Sequence, residues 1–383
     1  MSLSVTLEPA PDVNAGVTLR APRIAGVSYA VPPAVSQRAL WSTLASDLYR
    51  GNRVAEKIWQ NSGVEQRHLA IDPRRERALE WGTEQRMQRF LPEATPLGRA
   101  AIERALETAG VPAAEVGLLA VVTSTGYVAP GLDSVLVKEV GMAATTERLH
   151  IGHMGCYAAL PGLAAVSDFV TARNRPAVLL CVELSSLHAR PVGDTMTATR
   201  QSKTDIMQVV GHSLFGDAAS ATVVVPGTSF GWDTAPAGFE VQDFLALTDP
   251  NSREALTWTI GDQGFMMQLS PTVPTVIGHH VREFVAELLG RNGLGVEDVA
   301  GWAVHPGGPR ILEVVQEELQ LPSWAMAPSY GVLRDFGNCE SATVPLILGR
   351  LFADRTISED EPVVALAFGP GLTLYAALLR RRR

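Results

Sequence analysis

The strongest constraint on the fold is an internal repeat, in which two parts of the chain follow one pattern 183 residues apart. The stretch 105-ALETAGVPAAEVGLLAVVTSTG-126 runs from a helix end through a glycine and an acidic turn into an apolar strand. The stretch 287-ELLGRNGLGVEDVAGWAVHPGG-308 has the same order, and Gly110 plus 183 is Gly293. An amphipathic helix, with apolar residues at three- and four-residue spacing, precedes each copy.

The same separation continues further along the chain, because Cys156 plus 183 is Cys339. It places 155-GCYAALPGLAAVSDFV-170 over 338-NCESATVPLILGRLFA-353, and both stretches have the composition of apolar helices. The repeat therefore relates two helices as well as two strands.

An apolar strand follows each of these helices, 177-AVLLCVEL-184 in the first copy and 363-VVALAFG-369 in the second. Two strand–helix–strand units, each wrapped by further helices, predict a duplicated α/β fold of layered sheets and helices. We expect the first half to cover residues 1–235 and the second half residues 236–383.

Equivalent positions of two such halves would meet around a pseudo-twofold axis. The helix starts near Cys156 and Asn338 would then face each other, and the strand end that carries His305 could approach the same point. Cys156 is either a packed core thiol or a nucleophile at a helix N-terminus, where backbone N–H groups and the helix dipole lower a thiol pKa.

The other candidates also have two interpretations each. His305 ends a strand in 302-WAVHPGGPRIL-312 and is either structural or directed into a ligand crevice, and Gly307 and Gly308 allow a ligand to approach the backbone. Asn338 is a helix cap or an amide donor. Phe215 is a core aromatic by default. Cysteine, histidine and asparagine together supply a nucleophile, an imidazole and an amide.

Composition excludes several classes of function. A formal net charge of −8 argues against a broad nucleic-acid-binding surface, although residues 380–383 form an arginine run that reads as a solvated tail. The N-terminus lacks the pattern of a signal peptide, and no apolar run is long enough to span a membrane. Three cysteines without metal-ligand spacing indicate reduced thiols, so we expect a soluble cytoplasmic protein.

Five ordered motifs carry a family resemblance: 154-MGCYAA-159, 213-SLFGDAAS-220, 304-VHPGGPRIL-312, 336-FGNCESA-342 and 367-AFGPGLT-373. With them the chain resembles the type III polyketide synthases, the chalcone-synthase-like branch of the thiolase superfamily. The resemblance implies a five-layered αβαβα thiolase fold in a homodimer.

It also implies a mechanism and substrates. Cys156 would take the acyl group of a starter CoA thioester, assisted by His305 as an imidazolium. Malonyl-CoA would then lose CO₂ to an enolate held by His305 and Asn338, beside Phe215 at the junction of the CoA tunnel and the cavity. No metal or redox cofactor would be required. The motifs 123-TSTGYVAPGLD-133 and 304-VHPGGPRI-311 resemble bacterial members that form alkylpyrones and alkylresorcinols, which points to a fatty acyl-CoA starter.

Alignment with the family places further residues around the substrate: Ser124, Ser185, His188, Trp258, Met267, Gly307, Gly308 and Glu340. Met267 stands where plant enzymes usually carry a gatekeeper phenylalanine, and Trp258 falls near a position that is commonly small. Glu340 departs most, because the position two after the asparagine is usually a small residue such as serine. Its carboxylate would titrate abnormally, find a basic partner such as His153, act in cyclisation, or point away.

Two other functions remain open on the sequence. A β-ketoacyl-carrier-protein synthase III uses the same three residue types for a single condensation. A catalytically silent thiolase-fold partner subunit would keep the fold without the chemistry, although its Cys156, His305 and Asn338 would then have no use.

Overall fold

The computed structural model describes residues 21–49, 52–190, 203–227 and 237–383. The strands are β1 (Arg23–Ala30), β2 (Ala34–Ser36), β3 (Gln66–His68), β4 (Leu118–Thr123), β5 (Glu147–Gly152), β6 (Ala177–Leu184), β7 (Asp217–Val225), β8 (Gly238–Thr248), β9 (Leu256–Gly261), β10 (Gly264–Leu269), β11 (Gly301–Val304), β12 (Pro362–Gly369) and β13 (Thr373–Arg382). The boundary predicted between residues 235 and 236 touches residues 228–236, which lie outside the described part of the chain.

The α-helices are α1 (Gln37–Leu40), α2 (Ser46–Leu48), α3 (Arg53–Gln60), α4 (Thr83–Ala109), α5 (Leu132–Val140), α6 (Ala159–Arg173), α7 (Lys203–Leu214), α8 (Val273–Gly290), α9 (Pro309–Leu319), α10 (Ser323–Phe336) and α11 (Thr343–Ala353). A π-helical turn, Trp41–Ala45, joins α1 to α2. Short 3₁₀ turns occur at Ala78–Glu80, Ala113–Glu115, Gly155–Tyr157, Ser185–His188, Pro250–Ala255, Val296–Asp298 and Glu340–Ala342.

The two halves of the main sheet have the same strand topology. Its order is β11-β12-β13-β8-β1-β7-β6-β4-β5, and the halves join where β1 pairs with β8. In the first half β1–β7 and β7–β6 are antiparallel and β6–β4 is parallel. In the second half β8–β13 and β13–β12 are antiparallel and β12–β11 is parallel. The duplication predicted from the sequence is confirmed.

Both faces of each half-sheet are covered, which is why the central strands are continuously apolar. In β4 the side chains of Ala120 and Val122 pack on one side of the sheet, while those of Leu119 and Val121 pack on the other. Every residue of β4 and of β12 is buried.

Three apolar layers fill the spaces between these elements. The first surrounds α6 and α11, which lie between the half-sheets. A second packs α4 on the outside of the first half, and a third packs α8 and α9 on the outside of the second half. The order is therefore helix, sheet, helix, sheet, helix, and the predicted αβαβα thiolase arrangement is confirmed.

The glycine shared by the two copies has the same backbone conformation in both. Gly110 ends α4 with φ of 67°, and Gly293 follows α8 with φ of 69°. A side chain is disfavoured in this left-handed region, so glycine ends the helix and turns the chain toward the next strand.

One helical stretch of the described residues, Gly155–Arg173, passes a test of length and hydropathy for crossing a membrane. Of the window tested, 61% is buried inside the fold. Since α6 forms most of this stretch and packs between the two half-sheets, its apolar composition is explained by the central layer.

Replacement of Trp302 by alanine tests the packing of the outer layer of the second half. Trp302 lies on β11 and is 1% exposed, so we expect Trp302→Ala to lower the free energy of unfolding by about 3–5 kcal/mol. Trp324, on α10, is 56% exposed, and Trp324→Ala should change the free energy of unfolding by less than about 0.5 kcal/mol. Urea titrations followed by circular dichroism make the comparison, and equal effects of the two changes would contradict this packing.

Candidate active site

The two equivalent turns before α6 and α11 meet at the centre of the molecule. The Gly155–Tyr157 turn carries Cys156, and the Glu340–Ala342 turn carries Glu340. The Cys156 thiol donates a hydrogen bond to Glu340 Oε2 over 2.7 Å. The close approach predicted for the two helix starts is thus observed, although the partner of the thiol is Glu340.

Asn338 is held by the backbone next to Phe215. Its N–H donates to the Leu214 carbonyl over 2.8 Å, and its own carbonyl accepts from the Gly216 N–H over 3.0 Å. Its side-chain oxygen accepts the Glu340 N–H over 2.9 Å, so Asn338 does cap the turn before α11. The same side chain also hydrogen-bonds Cys156, which acts to lower the thiol pKa. Asn338 therefore combines the two roles that the sequence left open.

His305 follows β11 and lies in the wall of a cavity that Cys156 and Asn338 also line. It is 1% exposed, and within the described residues neither ring nitrogen has a hydrogen-bond partner. Burial lowers the pKa of His305 to about 3. These surroundings therefore favour the neutral ring over the imidazolium that the family resemblance implies. A neutral ring still has one N–H to donate to a bound oxygen.

The pKa of the Cys156 thiol is also shifted. Its place before a helix predicts a lowered pKa, whereas the structure gives a raised one. Burial raises the pKa of Cys156 well above its ordinary value, and the charge and hydrogen bond of Glu340 raise it further. These effects exceed the opposing hydrogen bond from Asn338. Burial likewise raises the pKa of Glu340, to about 7. The resting pair therefore holds a proton between sulfur and carboxylate.

A second buried carboxyl group, which the sequence reasoning missed, lies behind this pair. Glu183, at the end of β6, accepts hydrogen bonds from the Ser124 N–H and from the hydroxyls of Thr125 and Ser341. Burial and then the charge of Glu340 raise the pKa of Glu183 to about 8. The sequence feature that could have pointed to Glu183 is its position as a single glutamate inside the apolar strand 177-AVLLCVEL-184.

Cys156, His305, Asn338 and Glu340 line a cavity of about 480 Å³. Ten of the sequence-predicted site residues line it: Ser124, Cys156, Phe215, Trp258, Met267, His305, Gly307, Gly308, Asn338 and Glu340. Apolar side chains complete the walls, and sequence reasoning missed most of them, including Ile206, Val210, Leu256, Leu269, Val273 and Ile277. They come from α7, the β9–β10 hairpin and α8, and none of them belongs to one of the five motifs.

Ser185 and His188, the two remaining predicted site residues, line a second cavity of about 170 Å³. His188 is fixed in its wall by Thr125, whose carbonyl lies 2.7 Å from the ring Nε2, and by stacking on Phe265 at 4.3 Å. Burial lowers the pKa of His188 to about 4.

The two cavities share a wall made of four side chains: Met207, Phe215, Trp258 and Met267. Trp258 and Met267 are paired across the β9–β10 hairpin, and the Trp258 ring lies 6.3 Å from Phe215 in an edge-to-face arrangement. These bulky side chains separate the space beside Cys156 from the space beside His188.

The surroundings of Glu340 bear on three of the alternatives given for it: pointing away, pairing with His153 and titrating abnormally. Its side chain does not point away, because it bonds Cys156 and lines the large cavity. His153 lines the same cavity, but within the described residues no ion pair joins it to Glu340. The carboxyl group therefore titrates abnormally in a poorly solvated place.

A buried thiol, a neutral imidazole and an amide at the junction of two thiolase halves define a condensing enzyme that transfers acyl groups. Models of the N-terminal and C-terminal domains of chalcone and stilbene synthases match residues 63–228 and 239–382. The chain belongs to this family, the type III polyketide synthases, and is an acyltransferase that catalyses decarboxylative condensation. This membership disfavours both a carrier-protein synthase III and a silent subunit.

Relatives and solved structures agree with this assignment. The chain is 33% identical over 389 residues to the alpha-pyrone synthesis polyketide synthase-like Pks18 of Mycobacterium tuberculosis, covering 97% of this chain and 93% of that protein. It is 30% identical to a 1,3,6,8-tetrahydroxynaphthalene synthase of Streptomyces peucetius, covering 94% and 93%. The crystal structure of PKS-I from the brown alga Ectocarpus siliculosus superposes with a TM-score of 0.86 at 29% identity, covering 96% and 100%.

The effect of Glu340 on the thiol can be tested by Glu340→Gln. Loss of the carboxylate removes two of the causes that raise the pKa of Cys156, so this pKa should fall, while burial keeps it above that of an exposed thiol. The rate of alkylation by iodoacetamide, measured against pH, reports the change. Peptide mass spectrometry separates Cys156 from Cys181 and Cys339. An unchanged or higher pKa would contradict the proposed geometry.

Proposed function

We propose that this enzyme loads a fatty acyl-CoA starter on Cys156, extends it with malonyl-CoA and cyclises the product to an alkylpyrone or a resorcinol-type ring. The observation that carries the proposal is the apolar cavity of about 480 Å³ beside Cys156, His305 and Asn338. Its volume is within the range of about 300–1,000 Å³ that small-molecule sites occupy. The name of the mycobacterial relative, which refers to alpha-pyrone synthesis, supports this product class.

Extension needs an enolate, and two groups in the cavity suit its stabilisation. When malonyl-CoA loses CO₂, negative charge develops on the thioester oxygen. The neutral ring of His305 has an N–H without a partner in the described residues, and Asn338 lines the same cavity. Donors that are already in place stabilise such charge without reorganisation. Phe215 adds an apolar surface, which favours the loss of the carboxylate charge.

Condensation then follows from the position of the nucleophile. The enolate carbon attacks the Cys156 thioester, the new C–C bond forms, and the Cys156 sulfur leaves. The lengthened chain is now a CoA thioester. It is loaded on Cys156 again, with release of CoASH, before the next cycle. Cysteine suits this use because its thioester remains activated toward carbon nucleophiles.

The finer properties of the enzyme are also proposals. We propose a soluble, cytoplasmic homodimer that takes acyl-CoA and malonyl-CoA as substrates, has no nucleic-acid partner and needs no metal or redox cofactor. The net charge of −8 supports the absence of a nucleic-acid partner, and the burial of the apolar helix Gly155–Arg173 supports solubility.

Replacement of His305 tests whether this ring stabilises the enolate. His305→Ala should lower malonyl-CoA decarboxylation by about 10²-fold or more, because it removes an enolate donor. Asn338→Ala should lower it in the same direction. Release of ¹⁴CO₂ from labelled malonyl-CoA is the measurement. Near-normal decarboxylation by His305→Ala would overturn the proposed role of this ring.

Replacement of Trp258 tests whether the shared wall limits the acyl chain. Trp258→Ala should join the cavities of about 480 and 170 Å³ and move the preferred starter toward longer acyl-CoAs. Ile260→Ala, on the same strand, is the matched control, because Ile260 is 58% exposed. The ratio of kcat/KM across acyl-CoAs of graded length makes the comparison. An unchanged ratio in Trp258→Ala, or an equal shift in Ile260→Ala, would contradict this explanation.

A further inference from the structure

The end of α7 has a feature that the mechanism above leaves unused. An α-helix leaves its last carbonyl groups without partners inside the helix. Helix α7 ends at Leu214, directly before Phe215 in the wall of the cavity beside Cys156. Four consecutive carbonyls, those of residues 212–215, all accept hydrogen bonds from groups outside the helix. Other parts of the chain therefore hold this helix end and the aromatic residue that follows it.

Arg67, on β3, supplies two of these four bonds. Its Nη1 donates to the His212 carbonyl over 2.7 Å and to the Phe215 carbonyl over 2.8 Å. Burial lowers the pKa of Arg67 only to about 10, so the guanidinium is charged at physiological pH. Hydrogen bonds from a charged donor are stronger than neutral ones, and a helix C-terminus attracts a cation. Arg67 is therefore well suited to fix the carbonyl of Phe215.

The two carbonyls between these receive other donors. Gln37 Nε2 donates to the Ser213 carbonyl over 2.7 Å. The backbone N–H of Asn338 donates to the Leu214 carbonyl over 2.8 Å. Of the side chains that the structure describes, only that of Arg67 bonds the carbonyl of the cavity residue itself.

Arg67 is itself held rigidly. Its side chain is 4% exposed, and its guanidinium lies 5.1 Å from the centre of the Trp59 ring, over the face of that ring. The stem of the side chain packs against Gly337, where an added Cβ would lie 3.2 Å from the Arg67 Cγ. Arg67 thus lies between the segment that carries Phe215 and the segment that carries Asn338.

The two segments are also joined to each other. Phe215 and Asn338 form an isolated parallel β-bridge, in which the Gly216 N–H donates to the Asn338 carbonyl over 3.0 Å. A displacement of the Phe215 backbone would therefore be passed on to Asn338. Both residues belong to the part of the site where malonyl-CoA is proposed to lose CO₂.

We propose that Arg67 is a positioning residue for malonyl-CoA decarboxylation, an inference that rests on the proposed roles of Phe215 and Asn338. By holding the Phe215 carbonyl, it fixes the aromatic ring in the cavity wall and, through the β-bridge, the amide beside it. Small displacements matter at such a site, because a misplacement of about 1 Å can lower a rate by about 10²-fold.

Release of ¹⁴CO₂ from labelled malonyl-CoA tests this role. Arg67→Met removes both hydrogen bonds, and we expect it to lower kcat for CO₂ release by about 10-fold or more. Arg67→Lys keeps a cation and a donor group, so its kcat should lie between those of Arg67→Met and the natural enzyme. Single-turnover acylation of Cys156 by a fatty acyl-CoA, read by intact-protein mass spectrometry, should stay within about threefold in both variants. The reason is that Arg67 hydrogen-bonds only the carbonyls of His212 and Phe215 among the described residues.

Gln37→Leu is the matched control. It removes the donor to the Ser213 carbonyl at the same helix end and leaves the bond to Phe215 in place. Gln37 is 7% exposed, so this change also leaves a buried carbonyl unpaired and should lower Tm, as Arg67→Met does. CO₂ release by Gln37→Leu should nevertheless stay within about threefold of that of the natural enzyme.

Three results would overturn the role. Equal loss of CO₂ release in Arg67→Met and Gln37→Leu would mean that Arg67 only stabilises the helix end. A parallel fall of CO₂ release and of Cys156 acylation in Arg67→Met and Arg67→Lys would mean that Arg67 only supports the fold. Unchanged CO₂ release in Arg67→Met would mean that Phe215 needs no such support. Failure of the natural enzyme to release CO₂ from malonyl-CoA would instead refute the proposed function itself, so the two failures are distinguishable.

Discussion

The hydrogen bond between Cys156 and Glu340 joins the two halves of the molecule at the point on which its chemistry depends. It exists because the repeat of one strand–helix–strand unit brings two equivalent turns, before α6 and before α11, to the same central layer. Each turn supplies a different side chain at nearly the same repeat position. A symmetric framework thereby produces an asymmetric site, with the thiol of Cys156 from one half and the carboxyl group that accepts its hydrogen bond from the other.

Burial is the dominant electrostatic influence at this junction. It is the largest cause of every strong pKa shift there: it raises the pKa of Cys156, Glu183 and Glu340 and lowers that of His305. A thiolate–imidazolium pair would place two charges where neither is solvated, whereas one proton shared between thiol and carboxylate leaves a single negative charge. The neutral His305 ring still has one N–H that it can donate to a developing enolate oxygen.

The sequence predicted the fold because the repeat and the apolar strands are local patterns that duplication copies. It also placed Cys156, His305 and Asn338 together, since the repeat dictates which strand and helix ends coincide. It could not predict the charge states, because desolvation depends on the whole packed structure rather than on the position of a residue before a helix. The contact of Glu340 with the thiol required the left-handed φ of its turn, which no motif encodes. Ser185 and His188 line a separate cavity because of how the side chain of Trp258 packs, which the sequence alone does not determine.

The central claim is that Cys156 carries a growing polyketide made from acyl-CoA and malonyl-CoA. The most direct measurement is incubation of the enzyme with acyl-CoAs of graded length, followed by malonyl-CoA, with the protein and the released products read by mass spectrometry. The account predicts an acyl adduct on Cys156 that disappears when malonyl-CoA is added and yields triketide or tetraketide rings. An enzyme that gains no acyl mass on Cys156, or that releases only a single ketoester, would contradict it.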